Sequence, residues 1–278
     1  MKVMILGATG LLGKALMRES TGDEIVGLDS RDVDIRDMER VREVVEKTRP
    51  EWIVLAAAYT NVDECESHPD LAFSVNRDGA VNVAQAAKAT GAKLLFLSSD
   101  YVFDGKKTSP YETEDVRNPQ SVYGRSKAEA EVQLPEVLPE CCIVRTSWLF
   151  GTGGKCFPDT ILKLAASRSA LDVVNDQRGC PTYSVDLARA LIALCRIGAR
   201  GIVHITNSGD CSWFEFAREI ITSAGLPTEV RPVSSQQMAR PAPRPAYSVL
   251  SAKSLQQYGI AVPTWQDALN RYLRERKN

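Results

Sequence analysis

The stretch "MILGATGLLGKAL" (residues 4–16) places three glycines, Gly7, Gly10 and Gly13, directly after an apolar run. Glycine is a poor helix former and loses more backbone entropy on folding than other residues, so three glycines at regular spacing need a reason. The apolar run predicts a buried strand, and the residues after the first glycine predict a helix. Glycines at such a junction let another group approach the backbone closely.

This junction is typical of a phosphate-binding turn. A strand, a glycine-rich turn and a helix N-terminus together direct backbone N–H groups and the positive end of the helix dipole toward a pyrophosphate. Gly7 then permits the tight turn, Gly10 lets the phosphates approach, and Gly13 lets the helix pack on the sheet. The spacing, G-x-x-G-x-x-G, is one residue longer than the commoner dinucleotide fingerprint. Evidence that this turn binds a dinucleotide must therefore come from the surrounding sequence.

The segments that follow predict the fold class. Apolar runs bounded by turn residues predict strands at "KVMIL" (2–6), "EIVGL" (24–28), "WIVLAAA" (52–58), "KLLFLSS" (93–99) and "CCIVRTS" (141–147). Helical periodicity between them predicts helices, including one that ends at Gly91 as its C-cap. Strands alternating with helices predict an α/β fold, a doubly wound parallel sheet of the Rossmann-like type. In such sheets ligands bind beyond the carboxyl ends of the strands.

The pattern changes after about residue 150, where "FGTGGKCFP" predicts a glycine-rich loop. Helices are predicted near 157–168 and over 184–197, with a short strand at "LDVVND" (171–176) between them. We predict a dinucleotide-binding domain over residues 1–150, joined by roughly residues 180–207, and a smaller C-terminal substrate-binding domain over residues 151–179 and 208–278.

The composition excludes several classes of protein. Lys and Arg total 34 and Asp and Glu total 35, so the formal charge of -1 offers no basic face for nucleic acid or a membrane surface. No apolar stretch approaches the roughly 18 residues of a membrane span, and the N-terminus leads directly into a strand, so a cytoplasmic protein is expected. Seven scattered cysteines without a C-x-x-C pair, and two histidines, fit neither a disulfide framework nor a zinc site.

An acidic residue ends the second predicted strand. Asp29 lies about 20 residues after the glycine turn, where a carboxylate can bind the adenosine ribose hydroxyls, which favours NADH. Arg31 could instead accept a 2'-phosphate, so NADPH stays open as the cofactor. Asp34 and Ile35 offer a polar and an apolar contact for adenine, although an ordinary turn would show the same pattern. The alternative for Asp29 is a solvated carboxylate at a strand end.

The candidate chemistry lies at Tyr123 and Lys127, which are four residues apart in a predicted helix and therefore lie on one face. A free phenol has a pKa near 10, and lowering it by about three units corresponds to roughly 4 kcal/mol. A neighbouring ammonium and a cationic nicotinamide ring could supply this. Ser99, at the end of the fourth predicted strand, would hold a substrate carbonyl oxygen. The alternative is a surface Tyr–Lys pair, but the order of glycine turn, Asp29 and Ser99 favours a proton-transfer site.

Longer motifs extend this pattern along the whole chain. They are "AAAYTNVDECE" (56–66), "SSDYVFDG" (98–105), "NPQSVYGRSK" (118–127), "RTSWLFG" (145–151), "VNDQRGCPT" (174–182) and "RPAYSVL" (244–250). Together with the glycine turn they resemble the extended short-chain dehydrogenase/reductases and, within that superfamily, the dTDP-4-dehydrorhamnose reductase family. The last three motifs are much more specific than the general superfamily motifs.

The resemblance implies reduction of the 4-keto group of dTDP-4-dehydro-L-rhamnose to dTDP-L-rhamnose by NADPH or NADH, for cell-surface polysaccharide synthesis. It implies that Tyr123 donates the proton, that Lys127 lowers the tyrosine pKa and holds the nicotinamide ribose, and that Ser99 hydrogen-bonds the carbonyl. Two alternatives stay open. One is a reductase of another dTDP- or UDP-linked 4-keto sugar, and the other is a non-catalytic, nucleotide-binding regulatory homologue.

The resemblance also implies further contacts. The cofactor would be lined by Leu11, Leu12, Asp29, Asp34, Ile35, Ala56, Ala57 and Ala58. Asp100 and Trp148 would touch the sugar, and Gln177, Pro181 and Thr182 would shape the nucleotide end. For Arg244, two roles stay open, a clamp on the diphosphate or a cap on a local turn. Asn76 either contacts a ligand or ties neighbouring segments together.

Some relatives dimerise through a magnesium ion bridged by glutamates near the C-terminus. The corresponding helix of this chain carries only Asp267 and Glu275 as acidic residues. We therefore expect no metal ion, and we leave a homodimer open.

Overall fold

The computed structural model describes residues 1–276, which fold around a central parallel sheet. The strands, in chain order, are β1 (Lys2–Leu6), β2 (Glu24–Leu28), β3 (Trp52–Leu55), β4 (Lys93–Ser99), β5 (Cys142–Thr146), β6 (Leu149–Phe150), β7 (Ala170–Val174), β8 (Arg178–Gly179), β9 (Thr182–Tyr183), β10 (Gly201–His204), β11 (Cys211–Ser212) and β12 (Glu229–Val233). The sheet has the order β10-β5-β4-β3-β1-β2, and every neighbouring pair in it is parallel. The predicted fold class is confirmed, and β1 to β5 correspond to the predicted strands.

Residues 1–276 form eleven α-helices, some of which cover the two faces of this sheet. They are α1 (Leu11–Glu19), α2 (Met38–Thr48), α3 (Val62–Ser67), α4 (Pro69–Phe73), α5 (Gly79–Thr90), α6 (Val122–Val137), α7 (Phe157–Ala165), α8 (Ser184–Ile197), α9 (Trp213–Ala224), α10 (Lys253–Gln256) and α11 (Trp265–Glu275). The predicted helix over 184–197 is confirmed as α8, and the predicted C-cap of α5 is confirmed at Gly91, whose φ is 74°. No helix in the described part of the chain is both long and apolar enough to span a membrane.

The two faces of the sheet have separate apolar layers, because successive side chains of a strand point to opposite faces. Ile5 of β1 packs in the layer that contains Leu16 of α1 and Leu191 of α8. Met4 belongs to the other layer, which contains Val83 of α5 and residues of α2 and α6. Each fully buried leucine or valine contributes roughly 1.5–3 kcal/mol. These two layers fix the sheet and thus the position of the strand ends.

A third apolar cluster lies outside the sheet. It contains Phe150, Phe216, Trp265 and Tyr272, contributed by β6, α9 and α11. Three two-stranded pairs, β7 with β12, β6 with β9 and β8 with β11, surround it. The domain boundaries given above stay a prediction.

Candidate active site

One cavity of about 700 Å³ opens at the carboxyl ends of the sheet strands, where the strand order reverses between β1 and β3. Most of the predicted site residues line it. They are Gly7, Gly10, Leu11, Leu12, Gly13, Asp29, Asp34, Ile35, Ala56, Ala57, Ala58, Ser99, Asp100, Tyr123, Lys127 and Trp148. The glycine turn, the Tyr–Lys pair and Trp148 therefore line one cavity.

The glycine turn is packed so tightly that two of its glycines have no room for a side chain. A Cβ on Gly7, whose φ is +95°, would lie 2.6 Å from the backbone nitrogen of Ala57. A Cβ on Gly13 would lie 2.1 Å from the carbonyl oxygen of Gly7. Gly10 is the N-cap of α1, and the first turn of α1 contains no acidic residue. The turn thus presents an uncompensated helix N-terminus to the cavity, which suits a pyrophosphate.

Two aspartate–arginine pairs lie at the end of the cavity near β2. The Asp29 carboxylate accepts hydrogen bonds from the Arg31 backbone N–H at 2.9 Å and from its Nη2 at 2.6 Å. The hydrogen bonds from Arg31 lower the pKa of Asp29 to about 2. The Arg31 side chain is 84% exposed and lies outside the cavity wall. Arg36, which pairs with Asp34 at 2.5 Å, lines the wall instead.

The Tyr–Lys pair is buried in the wall and is not a surface pair. Tyr123 is 9% exposed and Lys127 is 2% exposed. The Lys127 ammonium donates a hydrogen bond to the Leu97 carbonyl oxygen at 2.8 Å and lies 4.5 Å from the centre of the Phe96 ring. Burial lowers the pKa of Lys127 to about 7, and the nearby carboxylate of Glu131 opposes that shift.

The pKa of Tyr123 moves in the direction opposite to the one expected from the sequence. Burial of the phenol raises its pKa, and the Asp100 carboxylate adds to the increase, while a hydrogen bond with the Ser99 hydroxyl opposes it. The physical reason is that desolvation of the phenolate outweighs that single hydrogen bond. Tyr123 is therefore neutral at neutral pH, and the neutral phenol is the form that can donate a proton.

Asp100 is a buried carboxylate beside this pair. The Ser99 hydroxyl donates to its Oδ1 at 2.8 Å, whereas Oδ2 has no hydrogen-bond partner among the described residues. Burial raises the pKa of Asp100 to about 6, and the hydroxyls of Ser248 and Ser99 oppose that increase. An unsatisfied buried oxygen in a cavity wall is an acceptor for a ligand hydroxyl.

Trp148 lines the cavity in a strained conformation. Its φ is 47°, a left-handed value that costs a residue with a Cβ about 1–2 kcal/mol. The flanking backbone holds it there, because Ser147 Oγ donates to the Cys180 carbonyl at 2.7 Å and the Thr182 N–H donates to the Trp148 carbonyl at 3.2 Å. Strain of this kind persists only where neighbouring contacts enforce it.

Asn76 uses both ends of its amide inside the protein. It lies in a π-helical turn over Ser74–Asp78, between α4 and α5. Its Nδ2 donates to the Tyr59 carbonyl at 3.1 Å and to Ser126 Oγ at 3.0 Å, and its Oδ1 accepts from the Tyr59 N–H at 2.8 Å. Asn76 thus ties the segment after β3 to α6, which carries the Tyr–Lys pair.

Five predicted site residues lie outside the cavity wall. They are Arg31, Gln177, Pro181, Thr182 and Arg244. Gln177 donates to Ser235 Oγ at 2.8 Å. Arg244 pairs with Asp63 at 3.0 Å and donates to the Ala242 carbonyl at 2.9 Å. Contacts of these five residues with a ligand stay a prediction.

The wall also contains residues that the sequence motifs did not single out. They are Leu6, Thr9, Leu28, Ser30, Val33, Arg36, Thr60, Val62, Leu71, Val75, Leu97, Ser98, Tyr101, Thr146, Ser147, Leu149 and Lys155. Thr60 follows β3, Thr146 is the last residue of β5 and Ser147 follows it, so the rule that ligands bind at the carboxyl ends of strands could have found them. Lys155 lies in the glycine-rich loop after β6, and no sequence pattern indicated that this loop would reach the cavity. Within residues 1–276, no group of three or more His, Cys, Asp or Glu side chains could hold a metal ion.

The chain is similar to known proteins over its full length. A family model described as RmlD substrate binding domain matches residues 1–278. A dTDP-4-dehydrorhamnose reductase of Streptomyces griseus is 41% identical over 276 residues, which cover 96% of this chain and 91% of the relative. A dTDP-4-keto-6-deoxy-D-glucose reductase of Streptomyces niveus is 38% identical over 271 residues, which cover 96% of this chain and 94% of the relative.

A solved structure agrees with these relatives. The crystal structure of a dTDP-4-dehydrorhamnose reductase from Bacillus anthracis in complex with NADP has a TM-score of 0.96 and 39% identity, and the match covers 99% of this chain and 100% of that chain. The resemblance drawn from the sequence motifs is confirmed. Matched along its whole length by the family model, the chain belongs to the RmlD substrate binding domain family.

Proposed function

We propose that this protein is an NAD(P)H-dependent oxidoreductase that reduces the 4-keto group of dTDP-4-dehydro-L-rhamnose to give dTDP-L-rhamnose, for cell-surface polysaccharide synthesis. One observation carries the proposal. A buried serine, tyrosine and lysine lie in the wall of a single cavity, which a glycine turn at a helix N-terminus and the Trp148 indole also line. The relatives described above are named as reductases of dTDP-linked 4-keto sugars, which supports the same class of reaction here.

The cavity fits a nicotinamide dinucleotide. Backbone atoms already occupy the space that side chains on Gly7 and Gly13 would need. The turn is therefore compact, and the N-terminus of α1 can hold the pyrophosphate. Asp29 can accept from ribose hydroxyls, and Arg31 and Arg36 carry the guanidinium groups for a 2'-phosphate. The reduced cofactor supplies the hydride that reaches C4 of the sugar. Either NADPH or NADH is therefore proposed, and the B. anthracis relative was solved with NADP.

The chain's own groups supply the proton. The hydroxyls of Ser99 and Tyr123 bind the carbonyl oxygen, and Tyr123 gives its proton to that oxygen as the hydride arrives at carbon. The buried amine of Lys127 lies one helical turn from Tyr123 and holds the hydroxyls of the nicotinamide ribose near the phenol. Asp100 Oδ2 and the Trp148 indole contact the sugar. Retention of all three reacting groups argues against a regulatory homologue without activity.

The direct test is an assay of the purified protein with dTDP-4-dehydro-L-rhamnose and either NADPH or NADH. We expect one equivalent of cofactor to be oxidised for each equivalent of sugar nucleotide reduced. The loss of absorbance of the reduced nicotinamide measures this oxidation. No oxidation with either cofactor would overturn the proposal. The S. niveus relative favours a second candidate, reduction of dTDP-4-keto-6-deoxy-D-glucose. Parallel assays with both sugars, and the configuration at C4 of each product by NMR, decide between the two.

Replacing Gly13 by alanine is expected to weaken NADPH binding at least about tenfold, or about 1.4 kcal/mol. The added methyl would overlap the Gly7 carbonyl oxygen and the Ala8 backbone, so the turn must move. Such overpacking costs about 1–3 kcal/mol of stability. Titration of the protein with NADPH, followed by nicotinamide fluorescence, measures the affinity.

The matched control is Gly22→Ala. Gly22 also has a positive φ, 81°, but a Cβ there would meet no atom within 4 Å, and the residue does not line the cavity. The free energy of unfolding of the Gly22→Ala variant should fall by about 1 kcal/mol, because a residue with a Cβ is strained at a positive φ. Its affinity for NADPH should not change. Equal affinity in Gly13→Ala and wild type would show that the glycine turn does not hold the cofactor.

A homodimer, a cytoplasmic location and the lack of a metal requirement stay predictions.

A further inference from the structure

Trp213, the first residue of α9, lies directly behind the cavity wall without lining it. Its ring is parallel to the Trp148 indole, with ring centres 3.5 Å apart and an angle of 6° between the planes. Trp148 and Trp213 come from separate parts of the chain, so tertiary structure alone brings them together. One face of the Trp148 indole is thereby covered by a second indole.

The Trp148 indole also packs directly against the backbone of Gly179. A Cβ on Gly179 would lie 2.5 Å from Trp148 Cε2 and 2.6 Å from its Nε1. Gly179 pairs with Cys211 in the β8–β11 ladder, and Trp213 follows β11 directly. The backbone surface and the covering ring therefore belong to one short structural unit.

That unit is anchored at two further points. Ser212 caps α9 in a capping box with Glu215, and its hydroxyl donates to Asn175 Oδ1 at 2.7 Å. Trp213 also packs against Phe157 of α7, with ring centres 4.5 Å apart. Rotation of the Trp148 indole toward Trp213 would displace this aromatic group, and the indole is held further by its left-handed backbone.

We infer that Trp213 is a positioning residue for sugar binding. By stacking on Trp148, it fixes the orientation of that indole before the substrate binds. The inference rests on the proposed function, in which Trp148 contacts the sugar. A wall that is already ordered lowers the entropy cost of binding and keeps C4 of the sugar opposite the reacting groups. A rigid apolar wall suits the apolar face of a deoxyhexose ring.

The test compares Trp213→Leu with wild type, using the dTDP-4-keto sugar that wild type reduces best. We expect KM for the sugar nucleotide to rise about tenfold, while the Kd for NADPH stays unchanged and kcat falls less than KM rises. Trp213→Phe, which keeps a stacking ring, should recover most of the loss. Near-ultraviolet circular dichroism should show loss of the coupled indole signal in Trp213→Leu.

Phe214→Leu is the matched control, because Phe214 is the next residue of α9 and does not line the cavity. Trp213→Leu should add nothing to the KM change in a Trp148→Leu background, since it acts through that indole. Additive effects, or an equal loss of NADPH affinity, would overturn the inference. If Trp213→Leu does not fold, Gly179→Ala is measured instead and should raise the sugar KM in the same way.

Wild-type turnover in the same series separates the two proposals. Lack of turnover with any dTDP-4-keto sugar overturns the proposed function. Turnover by wild type together with an unchanged KM in Trp213→Leu overturns the role of Trp213.

Discussion

Replacing Tyr123 by phenylalanine is expected to lower kcat by about a hundredfold to ten-thousandfold, the range typical of a lost general acid. The substitution removes only the hydroxyl, and the ring keeps its edge-to-face contact with Tyr101, whose ring centre is 5.7 Å away. The Kd for NADPH should stay within about twofold of wild type, because the phosphate-binding turn is untouched. Single-turnover assays give the rate of the chemical step, and fluorescence titration gives the cofactor affinity.

Tyr258→Phe serves as the control, since its hydroxyl donates to the Arg200 carbonyl at 3.1 Å and it does not line the cavity. It should leave kcat unchanged. A Tyr123→Phe enzyme that keeps kcat within about threefold of wild type would show that another group delivers the proton.

Replacing Arg145 by methionine is expected to lower the free energy of unfolding by about 3–5 kcal/mol, because it leaves a buried carboxylate without its main partner. Arg145 Nε and Nη2 donate to the two oxygens of Glu131 at 2.9 and 2.6 Å, and both side chains are at most 1% exposed. Ser98 Oγ also donates to Glu131, at 2.5 Å, and Arg117 Nη1 donates at 3.2 Å. The cluster joins β4, β5 and α6, which together carry Ser99, Tyr123 and Lys127. Urea unfolding followed by circular dichroism measures the loss.

Arg200→Met is the matched control. Arg200 pairs with Glu140 at 2.6 Å, but both side chains are more than 60% exposed, and such surface pairs contribute about 0–1 kcal/mol. The double variant Arg145→Met with Glu131→Met should regain part of the stability, because no unpaired buried charge is left. A loss below about 1 kcal/mol in Arg145→Met would contradict this prediction, because the buried pair would then contribute no more than a surface pair.

The sheet was predictable from the sequence because its first five strands are short apolar runs bounded by turn residues. Strand β10 was not among the predicted strands, since Gly201 and His204 leave only two consecutive apolar residues in it, whereas the equally short β3 begins an apolar run of seven. Helix α9 was also missed, although Ser212 and Glu215 have the capping-box spacing and Gly225 ends the helix. That signal was present in the sequence and could have located the helix.

The site was predictable where residues follow strand ends, and not where distant segments meet. The sequence indicated Arg31 as the arginine for a 2'-phosphate, but not that Arg36 would line the cavity while Arg31 lies outside its wall. The direction of the Tyr123 pKa shift depends on burial, which periodicity alone does not reveal. The stacking of Trp148 on Trp213 depends on the packing of α9 beside the strand pairs, which no local pattern encodes.

The main sheet is finished by residues that are synthesised late. Helix α8 covers one face of it through Leu187 and Leu191, and β10 pairs along the outer edge of β5. A nascent chain that has reached only residue 150 therefore has α1 but not α8 over that face and leaves the edge of β5 bare. Open strand edges and uncovered apolar faces promote association between unfinished polypeptides. On the ribosome, closure of this half of the molecule must wait until His204 has emerged from the exit tunnel.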